Sequence, residues 1–179
     1  MNYNIINVVD IESTCWIESQ KALNTSEIIE IGISELEVST GNILSSESIY
    51  VIPKISTISD FCYNLTGITQ KILDSKAISF SKACNILQEK YKSKDRVWAS
   101  YGHYDLRMFD EQCYRENINY PFGGKHINIK TLFALKYKLK KEIGMDSALK
   151  YLNLVLEGRH HSGKDDSHNI AKILKEILK

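Results

Sequence analysis

The sequence predicts an α/β fold in which α-helices flank a mixed β-sheet, antiparallel in its first three strands and parallel afterwards. An apolar run over residues 5–11 has the composition of a buried strand, and two segments of alternating polarity follow it. Farther along the chain, helical spacing alternates with short apolar segments. This order of patterns is typical of a mixed sheet with helices packed on its faces.

The first three strands are predicted to form an antiparallel meander. After the apolar run, Ser19–Thr25 is polar and turn-like, and Glu27–Val38 alternates between isoleucines and charged or small residues. Residues 40–42 (Thr-Gly-Asn) predict a tight turn, after which Ile43–Ile52 returns as the third strand and ends at a proline. Short connections of this kind join antiparallel neighbours.

Helical spacing and strand patterns alternate through the rest of the chain. Arg96–Tyr101 is short, apolar and aromatic, and it follows the predicted helix Ser79–Lys92. It therefore predicts a strand that pairs in parallel through a crossover connection. The other predicted elements are a short helix around Phe61–Leu65, a helix capped by Thr69, the helix His103–Glu116, a strand and helix within Ile127–Tyr137, the helix Ser147–Leu154, a loop over 158–164 and the helix Asp165–Lys179.

Two carboxylates stand at the end of the first strand. Asp10 and Glu12 are two residues apart, so on a strand their side chains project to the same side. Two anions buried together are unfavourable unless a cation joins them, and an oxygen-only ligand set suits Mg²⁺ or Mn²⁺. A strand end that has simply reached solvent is the alternative interpretation of the same pattern.

A third acid is predicted to face inward from the last helix. Asp166 shares a helical stripe with three isoleucines, whereas Asp165 shares one with polar residues and is predicted to face water. Asp166 is therefore a candidate partner of the metal, although an acid near a helix start also favours the helix dipole. Asp105, in the first turn of its predicted helix, has the same two interpretations. His161 lies in a loop flanked by glycines and is either a catalytic base or a surface residue.

Composition indicates one globular domain over residues 1–179 and an intracellular setting. No apolar stretch reaches the roughly 20 residues of a membrane span, and no signal-like segment opens the chain, so we expect a cytoplasmic protein. The four cysteines are scattered and are interpreted as reduced thiols. Residues 1–89 hold 5 Lys and Arg against 11 Asp and Glu, and residues 90–179 hold 18 against 11. A basic half suits a polyanionic substrate, or is a solvated lysine-rich surface.

Together these residues resemble the three motifs of the DEDDh 3′ to 5′ exonucleases. Asp10-x-Glu12 at a strand end, Asp105 after Tyr-Gly-His-Tyr, and His161 followed five residues later by Asp166 occur in the family's order. The resemblance implies a ribonuclease H-like fold. It also implies that the four acids hold two Mg²⁺ or Mn²⁺ ions, that Asp10 bridges them and that His161 is the general base.

Two further segments narrow the resemblance. Ser59–Gln70 and Gly158–Ile170 are similar to the Eri-type and KapD-like exoribonuclease branch, and the similarity extends over essentially the whole chain. It implies removal of nucleoside 5′-monophosphates from single-stranded RNA 3′ ends by a two-metal-ion mechanism. A DNA or short-oligonucleotide exonuclease of the same superfamily is the main alternative, and a nucleic-acid-binding protein without hydrolytic activity is another. The physiological RNA, the oligomeric state and any protein partner stay open.

The substrate pocket is expected beside the metal strand. Thr14, Cys15 and Trp16 follow that strand, so we expect them to line the pocket of the terminal nucleotide, although core packing explains Trp16 equally well. The segment Leu65–Thr69, above all Leu65 and Thr66, is expected to contact the base or sugar, with His161 closing over the site. Four clustered lysines are a candidate path for the trailing RNA backbone, namely Lys136, Lys138, Lys140 and Lys141.

Overall fold

One mixed sheet organises the computed structural model, which describes residues 2–179. Within that range five strands pair in the order β3-β2-β1-β4-β5. The β1–β2 and β2–β3 pairs are antiparallel, and the β1–β4 and β4–β5 pairs are parallel, which confirms the predicted mixed sheet. The strands are β1 Asn2–Ser13, β2 Ile28–Glu37, β3 Ile43–Tyr50, β4 Arg96–Ser100 and β5 His126–Asn128.

Helices cover both faces of the sheet. Ser59, Thr69 and Ser79 each accept a hydrogen bond from a backbone N–H three residues ahead, and these caps fix where the second, third and fourth helices begin. Among the described residues, no helix is both long enough and apolar enough to cross a membrane. The helices are α1 Glu18–Lys21, α2 Asp60–Thr66, α3 Gln70–Lys76, α4 Phe80–Glu89, α5 Tyr104–Glu116, α6 Ile129–Lys136, α7 Met145–Tyr151 and α8 Gly163–Leu178.

Some boundaries differ from the sequence-based expectation. A single helical turn, α1, occupies part of the segment predicted to be a polar turn. The helix predicted over Ser147–Leu154 begins and ends earlier, at Met145 and Tyr151. The last helix begins at Gly163 and not at Asp165, because the Gly163 N–H donates a hydrogen bond to a buried carboxylate, Glu30. A contact so distant in sequence leaves no local signal.

Alternation along β1 divides the core into two layers. Val9 and Ile11 pack in the layer that contains α4 and α5 residues. Ile6 and Val8 pack in the layer that contains α6, α7 and α8 residues. Asp10 continues the second set, since residues two apart on a strand share a face. The acids at the end of β1 therefore project from the face of the sheet that α8 covers.

The start of α8 makes an unusually close approach to β2. A Cβ added to Gly32 would lie 1.8 Å from the Gly163 carbonyl oxygen, so only glycine at position 32 leaves room for the helix. One turn farther along, the Ser34 and Ser167 hydroxyls are hydrogen-bonded at 3.0 Å. The helix start is thus fixed against the sheet at the level of Asp10, which pairs with Gly32.

Candidate active site

Three carboxylates converge at the end of β1. Asp10, Glu12 and Asp166 each place an oxygen within 4.8 Å of the other two. Glu12 is 7% exposed and Asp166 is 4% exposed, so these groups are largely withdrawn from water. The structure therefore brings together the two acids of β1 and the acid of α8, as their periodicity in the sequence predicted.

Asp166 has one oxygen engaged and one unpartnered. Its Oδ2 accepts a hydrogen bond from the His161 backbone N–H at 2.9 Å. Its Oδ1 is buried and has no hydrogen-bond partner among the described residues. Buried carboxylate oxygens nearly always have a partner, and a bound cation would supply one at this position.

Asp105 approaches the same space from α5. Its Oδ1 accepts a hydrogen bond from the Ile11 backbone N–H at 3.0 Å, which ties the first turn of α5 to β1. Asp105 is outside the close trio of acids, but its negative charge is one of the causes that raise the pKa of Asp10. All four acids named by the sequence motifs therefore lie in one region of the fold, near enough to influence one another electrostatically.

The electrostatics of this cluster favour a cation. Burial, reinforced by the neighbouring carboxylates, raises the pKa of Asp10 well above its usual range. Burial and the charge of Glu30 raise the pKa of Glu12 to about 8. Burial also raises the pKa of Asp105 and of Asp166 to about 6. Four acids that resist ionisation together, with oxygen donors only, fit a hard divalent ion such as Mg²⁺ or Mn²⁺.

Glu30 is a further buried acid that was not identified from the sequence. It lies opposite Glu12 in the β1–β2 register and is 2% exposed. Its carboxylate accepts hydrogen bonds from the Ser48 hydroxyl and from the Gly163 N–H, the latter at 3.1 Å. Glu30 therefore holds the start of α8 while adding negative charge near Glu12. Alternation along β2 showed which face Glu30 occupies, but only the strand register places it beside the site.

His161 is held at the entrance of the carboxylate cluster. Its backbone has φ of 64°, in the left-handed region, and its N–H is bonded to Asp166. Partial burial lowers the pKa of His161, and the charges of His160 and Arg159 lower it further. A lowered pKa keeps this imidazole neutral at cytosolic pH, which is the form that accepts a proton.

A cavity of about 460 Å³ opens onto Asp10, Glu12, Asp166 and His161. Cys15, Leu65 and His161, three of the residues expected to contact substrate, lie on its wall. Tyr104 also lines the wall, with its hydroxyl 2.7 Å from the Ser13 hydroxyl. Tyr104 was not identified from the sequence as a pocket residue, although it directly precedes Asp105.

The structure gives other roles to the remaining predicted pocket residues. The Thr14 side chain is fully buried, and its hydroxyl accepts the Glu27 N–H at 2.9 Å. Thr66 is 4% exposed and its hydroxyl donates to the Cys62 carbonyl within α2. These contacts correct the expectation that both side chains face substrate, because each hydroxyl stabilises the backbone that shapes the pocket.

Trp16 and a second cavity lie next to the first. Trp16 is 7% exposed, so most of the ring packs in the interior, and its remaining surface lines a cavity of about 730 Å³. Cys15, Leu65 and Tyr104 line both cavities. Arg107 contributes a positive charge to the second cavity.

The prediction that Asp165 faces water needs correction. Its side chain is half-buried, and Oδ2 accepts the Arg159 N–H at 2.9 Å. Asn169, on the same stripe, is fully buried and donates to the Glu157 carbonyl. The loop over residues 158–162 folds back on this stripe, so side chains that periodicity placed in solvent instead hold the loop that carries His161.

Comparison with known proteins places the chain in a family. The family model described as Exonuclease (RNase_T) matches residues 8–174. The human protein 3'-5' exoribonuclease 1 is 34% identical over 98% of this chain and 53% of its own length. Human ERI1 exoribonuclease 2 is 30% identical over 99% of this chain and 29% of its own length. The chain thus spans about half the length, or less, of these relatives.

Solved structures agree with the family match. The nuclease domain of 3'hExo, a DEDDh family member bound to rAMP, superposes with a TM-score of 0.87 at 32% identity, covering 98% of this chain and 92% of that one. A 3'-exonuclease solved in 3'-end specific recognition of the histone mRNA stem-loop also gives a TM-score of 0.87, at 31% identity, covering 98% of this chain and 64% of that one. This chain therefore has a ribonuclease H-like fold and belongs to the exonuclease family, in the Eri-type branch of its DEDDh members.

Proposed function

We propose that the protein is a 3′ to 5′ exoribonuclease that releases nucleoside 5′-monophosphates from single-stranded RNA ends. The observation that carries the proposal is the meeting of Asp10, Glu12 and Asp166, with His161 beside them, on one cavity. Asp105 joins the cluster through its bond to β1. The family match supports hydrolysis as the use of this arrangement.

The four acids are proposed to hold two Mg²⁺ or Mn²⁺ ions. Bound there, the cations supply positive charge at the scissile phosphate and favour deprotonation of the attacking water. His161 accepts the proton of that water as its oxygen bonds to phosphorus. The bond from phosphorus to the 3′ oxygen of the preceding nucleotide breaks, and that oxygen takes up a proton from solvent. A nucleoside 5′-monophosphate leaves, and the shortened RNA keeps a 3′ hydroxyl. The hydrogen bond from the His161 backbone N–H to Asp166 keeps the general base next to a proposed metal ligand.

A single-stranded RNA 3′ end is the substrate we favour. Both human relatives are named as exoribonucleases, one of them as a 3'-5' exoribonuclease, and one solved relative is bound to rAMP. A cavity of about 460 Å³ lies in the size range of small-molecule sites, which suits one terminal nucleotide. The exposed tyrosine Tyr104 offers a ring on which an unpaired base can stack. We place the protein in the cytoplasm, in keeping with its free cysteines.

The test uses end-labelled oligonucleotides of one sequence as RNA and as DNA, single-stranded and duplex. The purified protein is incubated with each in Mg²⁺, in Mn²⁺ or in a chelator. We expect stepwise shortening of single-stranded RNA from its 3′ end, with nucleoside 5′-monophosphate as product and no reaction in chelator. A 3′-phosphate block should stop the reaction. Internal cuts in circular RNA, or a clear preference for DNA, would contradict the proposal.

A further inference from the structure

A second group of possible metal ligands overlaps the acid cluster. His160, His161 and Asp166 each place one ligand atom within 4.8 Å of the other two. The two imidazole rings are in contact, with centroids 4.0 Å apart at an angle of 81°. The proposed hydrolysis uses His161 and Asp166 but gives His160 no part.

The donor atoms of this group differ from those of the carboxylate cluster. Two imidazole nitrogens and one carboxylate oxygen are a ligand set that Zn²⁺ accepts in three-ligand sites, with a water in the fourth position. Mg²⁺ prefers oxygen ligands, and nitrogen donors therefore select against it. The two sites share only Asp166 as a ligand.

Asp166 has one carboxylate oxygen that is available to a metal. Its side chain is 4% exposed, and its Oδ1 is buried without a hydrogen-bond partner among the described residues. Oδ2, by contrast, is engaged by the His161 N–H. Oδ1 therefore has the free lone pairs that a metal on either side of Asp166 requires.

We propose that His160, His161 and Asp166 form a Zn²⁺ site that inhibits the enzyme. Zn²⁺ in this position occupies the nitrogen that His161 needs as a base and the oxygen that Asp166 offers to the catalytic cations. Tetrahedral zinc brings its ligand atoms to roughly 3.4 Å from one another, so separations that lie within 4.8 Å have to contract by roughly 1.4 Å at most. The His160 side chain is exposed and can make that adjustment, while Asp166 holds the His161 backbone.

Binding is tested first without substrate. Zn²⁺ is titrated calorimetrically into the protein in excess Mg²⁺, which competes with zinc for the oxygen-only site, and the same titration is run on His160→Ala and His168→Ala. We expect one zinc ion on the unmodified protein and affinity at least about tenfold weaker in His160→Ala, since even outer-shell partners of a metal are worth tenfold or more. His168, which contacts Ser46 and Glu157, is outside the cluster, so His168→Ala should bind zinc normally.

Imidazole NMR signals and RNA hydrolysis complete the test. The His160 and His161 ring signals should shift on zinc addition while those of His168 stay in place. The zinc concentration that halves RNA hydrolysis should rise at least about tenfold in His160→Ala, each variant being compared with its own zinc-free rate. Equal zinc affinity in His160→Ala and the unmodified protein, or unmoved ring signals, would overturn the site. The inhibition measurement rests on the proposed function, whereas calorimetry does not. A protein that binds zinc through His160 but hydrolyses no RNA would therefore refute the proposed exoribonuclease function and leave the zinc site standing.

Discussion

At the scale of single residues, hydrogen bonding distinguishes two adjacent acids of α8. Asp166 leaves its buried Oδ1 without a partner among the described residues, as a metal ligand requires. Asp165 uses Oδ2 to accept the Arg159 N–H and contacts Gly158, so it holds the preceding loop. The two residues differ in orientation and not in chemistry, which makes them a matched pair.

Replacing each of these acids by its amide should separate the two roles. Asp166→Asn should abolish hydrolysis, because an amide cannot supply the negative charge that neutralises the cations. Asp165→Asn should retain most activity, since the amide oxygen can still accept the Arg159 N–H. Initial rates in Mn²⁺ on single-stranded RNA measure both. Equal losses of activity in the two variants would show that the orientation of α8 does not decide which of the two acids takes part in hydrolysis.

His161 is expected to act on the proton and not on the metal. His161→Ala should lower turnover by about 10²-fold or more, the usual contribution of a general base, while Mn²⁺ affinity changes little. His160→Ala should have the milder effect, because only His161 has its backbone fixed by Asp166. Turnover and calorimetric Mn²⁺ binding are measured on both variants. Loss of Mn²⁺ binding in His161→Ala would make this histidine a ligand.

Most of the acidic residues of the site could be predicted because their orientation follows from the local period of a strand or a helix. The strand period placed Asp10 and Glu12 side by side, and the helix period turned Asp166 inward. Glu30 was not identified, because its place beside Glu12 depends on a register between two strands that no local pattern records. Thr14 was misassigned because a hydroxyl that bonds a distant backbone N–H looks, in sequence, like any pocket residue.

At the scale of elements, the order of strands and helices was predictable except for the single turn α1, and the exact ends of the elements were not. Alternation and helical spacing reflect which face of an element is buried, so they survive in the sequence. The start of α8 depends instead on Glu30 and on the close approach of Gly32 to Gly163. Such contacts join residues more than a hundred positions apart, and periodicity contains no trace of them.

The close packing of Gly32 on α8 should be sensitive to a single methyl group. In Gly32→Ala the new Cβ would lie 1.8 Å from the Gly163 carbonyl, so α8 must shift and carry Asp166 with it. We expect a loss of about 2 kcal/mol or more in the free energy of unfolding, together with lower activity. Gly124→Ala is the control, because nothing lies within 4 Å of its added Cβ. Urea unfolding and initial rates measure both, and similar behaviour of the two variants would contradict this role of Gly32.

The lysine segment that begins at the last residue of α6 is proposed to guide the trailing RNA. Lys136, Lys138, Lys140 and Lys141 are all exposed, and the chain then continues into residues 144–147, which line the cavity. In Lys140→Ala/Lys141→Ala the dependence of log affinity on log salt should become shallower by about 0.7 for each phosphate that the protein no longer neutralises, with turnover unchanged. Binding of single-stranded RNA across a salt series measures this. Lys82→Ala/Lys94→Ala, also exposed, is the control, and an equal change there would indicate a nonspecific charge effect.

At the scale of the whole molecule, the sheet packs one layer of helices against Val9 and Ile11 and another against Ile6 and Val8. The acids at the end of β1 are buried by the same packing that forms the second layer. Folding therefore brings together carboxylates that repel one another when ionised. The stability of the fold and the affinity for cations are consequently linked through the protonation of this cluster.

This linkage predicts how stability without metal depends on pH. Folding raises the pKa of Glu12 from 4.5 to about 8 and the pKa of Asp105 and of Asp166 from 3.8 to about 6. The folded protein thus binds these protons more tightly than the unfolded chain, so the resulting stability is fully present below about pH 4 and is lost as the pH rises toward about 8. In Glu12→Gln one of these titrations is absent.

Thermal unfolding in a chelator, with Glu12→Gln as the reference, therefore isolates the contribution of Glu12. The unmodified protein should match the variant near about pH 4 and melt at least about 3 °C below it near about pH 8, because Glu12 ionises readily in the unfolded chain and only at high pH in the fold. Mn²⁺ should reverse the difference, because the cation binds the ionised form and stabilises the folded state by mass action. It should therefore raise the melting temperature of the unmodified protein more at the higher pH. A pH-independent difference between the two proteins would show that Glu12 is not held in its protonated form in the metal-free fold.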